Sequence, residues 1–104
     1  MTLPNPVLPQ ATDNTIHSSD IALVGGVAVS IPAYADMHLG DLISVSWDYS
    51  RIAATVIVNG EVDFPVVFLI PDELTPVGEH SVSYAMEDEA GNLSISNSLT
   101  IIID

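Results

Sequence analysis

Four side chains with hard oxygen donors, Glu87, Asp88, Glu89 and Asn92, fall within six residues of one another. Calcium takes six to eight such oxygens, and Gly91 would let the backbone turn tightly beneath them. The spacing is not that of an EF-hand loop. Asp13, Asp20 and Asp104 lie towards the two ends of the chain, where they would add ligands to the junction with a neighbouring copy. The same stretch, Asp88-Glu89-Ala90-Gly91-Asn92, is also ordinary hairpin-loop chemistry, since Asp, Asn and Gly each favour a turn. Both readings, a calcium loop and a plain turn, stand at the level of sequence.

Other chemistry is harder to assemble. His17, His38 and His80 are widely separated, each is expected in a solvated loop, and with no cysteine in the chain no zinc-ligand spacing occurs. Serines are plentiful, but no Gly-x-Ser-x-Gly elbow presents one as a nucleophile. Asp72-Glu73 and Glu87-Asp88-Glu89 fall in expected turns, where carboxylates stay ionised instead of forming the acid/base pair that glycoside hydrolysis needs. The expectation is a non-enzyme, with no catalytic residue and no required cofactor, calcium being the one candidate ligand. Trp47, Tyr49 and Tyr84 share strand faces with Val45, Val82 and Met86, so they read as core and not as an exposed platform for sugars.

The charge balance narrows the partners. Fourteen Asp and Glu stand against a single arginine, Arg51, giving a formal net charge of -13 on 104 residues, while 48% of residues are hydrophobic. A disordered acidic tail would lack that apolar content. Nucleic acid and anionic membrane surfaces are repelled by such a field, whereas small cations are drawn in. The longest apolar runs, residues 66–70 and 101–103, are far short of a membrane span, so no membrane insertion is expected.

The elements that must position these residues are strands. Residues 42–49 alternate strictly: Ile43, Val45, Trp47 and Tyr49 on one face, Ser44, Ser46 and Asp48 on the other. Residues 81–87 repeat the pattern with Val82, Tyr84 and Met86, and residues 98–103 with Leu99, Ile101 and Ile103. Residues 53–58 and 66–70 read as further strands, and Asn59-Gly60 as a tight hairpin turn. Residues 11–20 are polar and turn-rich. Residues 21–31 read as a strand approach through Ile21 and Leu23, a break at Gly25-Gly26, then a strand through Val27, Val29 and Ile31. No window carries a sustained helical repeat. The expectation is an all-β, immunoglobulin-like antiparallel sandwich of about seven strands. Residues 1–20 form a Pro-rich extended lead-in with a first edge strand, and residues 21–104 the body of one domain.

Four segments, in this order and spacing, carry a resemblance: Leu3-Pro4-Asn5-Pro6, Val29-Ser30-Ile31-Pro32-Ala33-Tyr34, Gly40-Asp41-Leu42-Ile43-Ser44-Val45-Ser46-Trp47, and Val82-Ser83-Tyr84 through Asp88-Glu89-Ala90-Gly91-Asn92 to Ser96-Asn97-Ser98-Leu99-Thr100. Together they resemble the bacterial immunoglobulin-like repeat modules found in tandem in large surface and secreted proteins, many of them adhesins. The resemblance implies an extracellular or cell-surface spacer whose partners are neighbouring repeats of its own parent chain. A ligand-binding module for carbohydrate or a host protein is the alternative, followed by an accessory domain of a secreted enzyme. Without a cysteine pair, antibody-type function is not implied.

Overall fold

The computed structural model describes residues 3–35, 37–58 and 60–104. Among these, eight strands form two sheets. They are β1 (Thr15–Ile16), β2 (Gly26–Ile31), β3 (Leu42–Trp47), β4 (Ser50–Val56), β5 (Val66–Pro71), β6 (Gly78–Glu87), β7 (Leu93–Ile95) and β8 (Leu99–Ile103). The larger sheet runs β1-β8-β6-β3-β4, with β7 also on β6; the smaller pairs β2 with β5. The chain passes repeatedly from one sheet to the other, as immunoglobulin-type sandwiches do, and the all-β reading holds. No helix among the described residues is long and apolar enough to cross a membrane.

The alternation seen in the sequence becomes the core. From the larger sheet Ile43, Val45, Trp47, Val82, Tyr84, Met86, Ile101 and Ile103 point inward; from the smaller one Val27, Val29, Ile31, Phe68 and Ile70 answer them. Leu3, Leu8, Ile16, Ile21, Tyr34 and Ile57 close the rim. Each aliphatic residue fully removed from water contributes about 1.5–3 kcal/mol. The polar tips of the buried aromatics are all satisfied by nearby oxygens. Trp47 Nε1 donates to Leu74 O at 2.8 Å, the Tyr84 hydroxyl to Pro4 O at 2.6 Å and the Tyr34 hydroxyl to Asp41 Oδ2 at 2.8 Å.

Three expectations are corrected. Tyr49 is 85% exposed and not core. β3 stops at Trp47, which pairs with Ser50, and Asp48 and Tyr49 make a two-residue turn with φ of 51° and 69°. Two successive positive φ values match the right-handed twist of a hairpin and swing Tyr49 off the buried face. Residues 18–24, read as turn and strand approach, form a seven-residue helix, α1 (Ser18–Val24), that buries Ile21. Gly25 is its cap: at φ 83° its N–H donates to Ile21 O, a left-handed position that glycine fills without strain. Lastly, the sandwich is not wholly antiparallel, since β1 runs parallel to β8. Parallel neighbours need a long connection, and these two strands lie at opposite ends of the chain, so no hairpin constrains their direction.

Gly60 opens a short 3-10 segment, Gly60–Asp63, ahead of β5. Its expected turn partner Asn59 lies outside the described residues, as do Met1 and Thr2 of the Pro-rich run and Asp36 of the bend after β2.

Trp47 and Tyr49 give a paired test. Trp47→Ala removes a ring that is 3% exposed and is expected to cost ~3–5 kcal/mol in urea denaturation, whereas Tyr49→Ala is expected to stay within about 0.5 kcal/mol of wild type.

Candidate functional site

β6 spans the larger sheet, so its two ends mark the two poles of the sandwich. At the Glu87 end sit the acidic loop and the start of β3, because Leu42 pairs with Glu87. At the Gly78 end sit β8's last residues, α1 and the β3–β4 turn, through the pairs Gly78↔Ile103 and Trp47↔Val82.

At the first pole the loop is organised by its own backbone. Asp88 Oδ1 accepts the Asn92 N–H at 2.8 Å and Oδ2 accepts Asn92 Nδ2 at 3.0 Å. Asp88 N–H donates to Asn92 O, and Gly91 N–H to Asp88 O, both at 3.0 Å. The bonds from the Asn92 side chain and backbone hold the Asp88 carboxyl below its ordinary pKa. Glu89 reaches across to β3's approach and lies over Gly40, which at φ 91° offers no Cβ to obstruct it. His38, Leu39, Asp41, Asp88, Glu89 and Ala90 line an open depression of about 360 Å³. Asp41 forms its floor, 1% exposed, with Oδ2 accepting both the Tyr34 hydroxyl and the His38 N–H.

The structure thus keeps Asp88 and Asn92 together, brings Glu89 to Asp41 and His38, and leaves Glu87 on the last position of β6. Among the described residues no three His, Cys, Asp or Glu side chains converge as a metal-binding group. Asp104 lies at the opposite pole, where its carboxylate pairs with His17, and there Asn14, next to Asp13, accepts the Ile102 N–H. Roughly 30 Å of strand separates them from the loop, at ~3.4 Å per residue along β6.

The second pole holds an arrangement that sequence reading missed. His80 is not a solvated loop residue: it is the third residue of β6 and 8% exposed. Its Nδ1 lies 2.8 Å from Asp48 Oδ2 and its Nε2 2.7 Å from Pro76 O. A carboxylate and a carbonyl only accept, so the two bonds form together when both ring nitrogens carry protons, and the pair favours the imidazolium. It stacks on Trp47 at 4.9 Å between centroids and 20° between planes, where the indole face favours a cation. Asp48 Oδ1 also accepts the Ser81 N–H at 3.0 Å. Immunoglobulin sandwiches commonly place a tyrosine at this corner, its hydroxyl bonded to backbone a few residues upstream. Here His80 makes that bond, two residues before Val82, the cross-strand partner of Trp47. The sequence signal was its place two residues ahead of an inward-facing strand position, with Pro76-Val77-Gly78 turning the chain just before.

Burial by itself would lower the pKa of His80. The bonds to Asp48 and Pro76, with the charge of Asp48, outweigh that and raise it above the ordinary 6.5. Burial would raise the carboxyl of Asp48, and the His80 and Ser81 bonds reverse that, leaving it lowered from the ordinary 3.8. A raised histidine contributes stability that is complete below pH 6.5 and lost as pH climbs through the folded value; a lowered aspartate contributes stability lost as pH falls through its own.

A family model described as HYR domain matches residues 35–103. The match starts after β2, so α1, β1 and β2 lie outside it, although β2 supplies half of the smaller sheet. No curated protein and no solved structure matches the chain.

Between pH 6 and 9 the wild-type melting temperature is expected to fall more steeply than that of His80→Gln, and ¹⁵N shifts of the His80 ring are expected to show both nitrogens keeping their protons to a higher pH than a free imidazole. At the other pole, Asp88→Ala is expected to lower the melting temperature by releasing Asn92. With the turn reading, millimolar calcium leaves the wild-type midpoint unchanged. A ligand at a hundred times its Kd would instead add about 2.7 kcal/mol and return the loop to calcium.

Proposed function

The chain belongs to the HYR domain family, an Ig-like family of extracellular and cell-surface proteins, and on that premise we propose that it is a non-catalytic spacer module within a larger exported protein. The finer reading is one repeat of a bacterial surface or adhesin-like protein, set in line with neighbouring modules of the same parent chain. Families of this kind act structurally and in adhesion, and no reaction is assigned to the domain.

The path of the chain carries the spacer reading. The polypeptide comes in beside Tyr84, whose hydroxyl bonds Pro4 O, and goes out beyond Gly78, which pairs with Ile103. Six strand residues, about 20 Å, separate these points along β6. The long axis of the molecule is 40 Å against 22 Å in each other direction. Pro4 and Ile103 are thus set apart along the sheet, and the long axis suits a module that holds neighbours at a distance. Pro4, Pro6 and Pro9 stiffen the incoming segment, as a semi-rigid connector requires. The net charge of -13 opposes folding of one copy back against another.

The ligand-binding alternative places a site in the loops at one pole, and the open depression floored by Asp41 is the feature that favours it. Its occupant would be cationic or a hydrogen-bond donor, since Asp41, Asp88 and Glu89 line the depression.

Two copies joined end to end are expected to give a maximum dimension near 80 Å in solution scattering, about twice the 40 Å axis. A compact pair near 50 Å would overturn the spacer reading, and a glycan array with a specific hit abolished by Asp41→Ala would replace it with the binding module.

A further inference from the structure

A sandwich with open sheets has edges, and each edge is a row of unpaired backbone groups that another strand can use. Here all but one are blunted. β1 is two residues long and β7 three. β4 carries Arg51 and a register shift opposite Val45 and Ser46, so Ile52 bulges out of the ladder; a charge and a bulge are both devices that discourage pairing. The outer side of β2 is occupied: Val7 and Ser30 exchange both backbone bonds, at 2.8 and 2.7 Å, and the Gln10 side chain accepts the Ala28 N–H at 2.8 Å and donates to Gly26 O at 3.0 Å.

β5 has none of these protections. Its residues, Val-Val-Phe-Leu-Ile-Pro, include no charge, and its proline is the last residue. Among the described residues it pairs with β2 and with no other strand. The orientation of its free groups follows from β2. Gly26, Ala28 and Ser30 turn their backbones away from β5, towards Gln10 and Val7, so Val27, Val29 and Ile31 turn theirs towards it. Their register partners are Ile70, Phe68 and Val66. In an antiparallel ladder facing residues exchange both bonds or neither. Val67, Leu69 and Pro71 therefore direct their backbone groups outward: two N–H donors and three carbonyl acceptors.

The side chains on that stretch fit the same use. Val67 and Leu69 are 59% and 51% exposed on the outer face of the small sheet, and Val7 is 52% exposed across Ser30 from Val67. They form an apolar face, more than half exposed among the described residues, beside the open ladder.

We propose that the free edge of β5 accepts an added strand from a partner protein, an extended apolar segment carrying Lys or Arg at the end that lies beside Asp72 and Glu73. Strand addition draws affinity from the main-chain ladder and selectivity from alternate side chains. Charge selects the partner. Asp72 and Glu73 follow β5 directly and are exposed, and the whole chain carries -13 with its one arginine on β4, in the other sheet. A second copy would bring the same carboxylates to the same edge, and a cationic segment would meet opposite charge. The proposal does not rest on the spacer reading.

The test uses two synthetic peptides, alternating Val and Thr over eight residues, one flanked at both ends by two lysines and the other by two glutamates. Each is titrated into ¹⁵N-labelled protein, with amide shifts and hydrogen exchange as readouts. The lysine-flanked peptide is expected to shift β5 amides and slow exchange of Val67 and Leu69 at least tenfold, with binding by the glutamate-flanked peptide at least tenfold weaker. Val67→Pro removes an outward N–H that β2 does not use and is expected to abolish binding. Should that variant not fold, Leu69→Lys, at an exposed position, is expected to weaken binding of the lysine-flanked peptide at least tenfold while leaving Trp47 fluorescence unchanged. Slow exchange of Val67 and Leu69 in the free protein at low concentration, shifts confined to β4, or equal binding of the two peptides would each overturn the proposal. So would concentration-dependent self-association that protects β5, which would give the edge to a second copy.

Discussion

The fold depends on a mismatch in area: a two-stranded sheet must shield the inner face of a much wider one. β2 and β5 supply Val27, Val29, Ile31, Phe68 and Ile70, all buried, against a larger set from β3, β6 and β8. The shortfall is made up from beyond these strands. Leu3 and Leu8 from the proline-rich segment, Ile16 from β1 and Ile21 from α1 fill the rim. This is why residues ahead of the family match are integral to the sandwich, and why Tyr84, at the middle of β6, fixes the incoming chain through Pro4 O. A segment that composition marks as a connector is in its course also a wall of the core.

A second constraint is the near absence of permanent cations. With one arginine and no lysine, a carboxylate that needs a positive partner must find a histidine. Both ion pairs among the described residues are of this kind, His17 with Asp104 and His80 with Asp48. In His17 it is the Asp104 bond, then its charge, that raises the ring's pKa. Asp41 and Asp88 turn to neutral donors instead, Asp41 to Tyr34 and the His38 N–H, Asp88 to Asn92. Electrostatic stabilisation in most proteins weakens in acid, as carboxylates protonate. Here the paired histidines add a sensitivity of the opposite sign, since their contribution is lost as pH rises.

Much of the fold was legible because burial imposes a period of two. Residues 42–47, 82–86 and 99–103 show inward and outward positions in strict turn, and Trp47 and Tyr84 fell inside as expected. The failures share a cause. Each lies where one element gives way to another, and a local conformation outside the periodic pattern decides the outcome. Tyr49 continues the alternation of β3 in sequence, but positive φ at Asp48 and Tyr49 ends the strand without the Asn-Gly signature that announces such turns. Gly25-Gly26 was read as a break within a strand when Gly25 caps a helix too short to show a period. His80 was assigned to a turn that in fact closes at Gly78. Of the acidic loop, the Asp88–Asn92 turn was legible from residue types alone, whereas the approach of Glu89 to Asp41 was not, since it depends on how β3 and β6 are aligned.

The same two constraints meet at β5. Covering the core with only two strands leaves one of them without an outer neighbour, so the open ladder is a consequence of the architecture. An uncharged apolar edge of this kind ordinarily invites pairing between copies. The anionic field supplies the guard that the strand's own residues lack, but with limited reach: at physiological ionic strength exposed charges are screened beyond ~8 Å. Within that distance Asp72 and Glu73 are the groups that an approaching strand meets first. Identical copies would be opposed by their own carboxylates and a segment of opposite charge would not, so the composition that disfavours self-pairing would also give the proposed edge its preference.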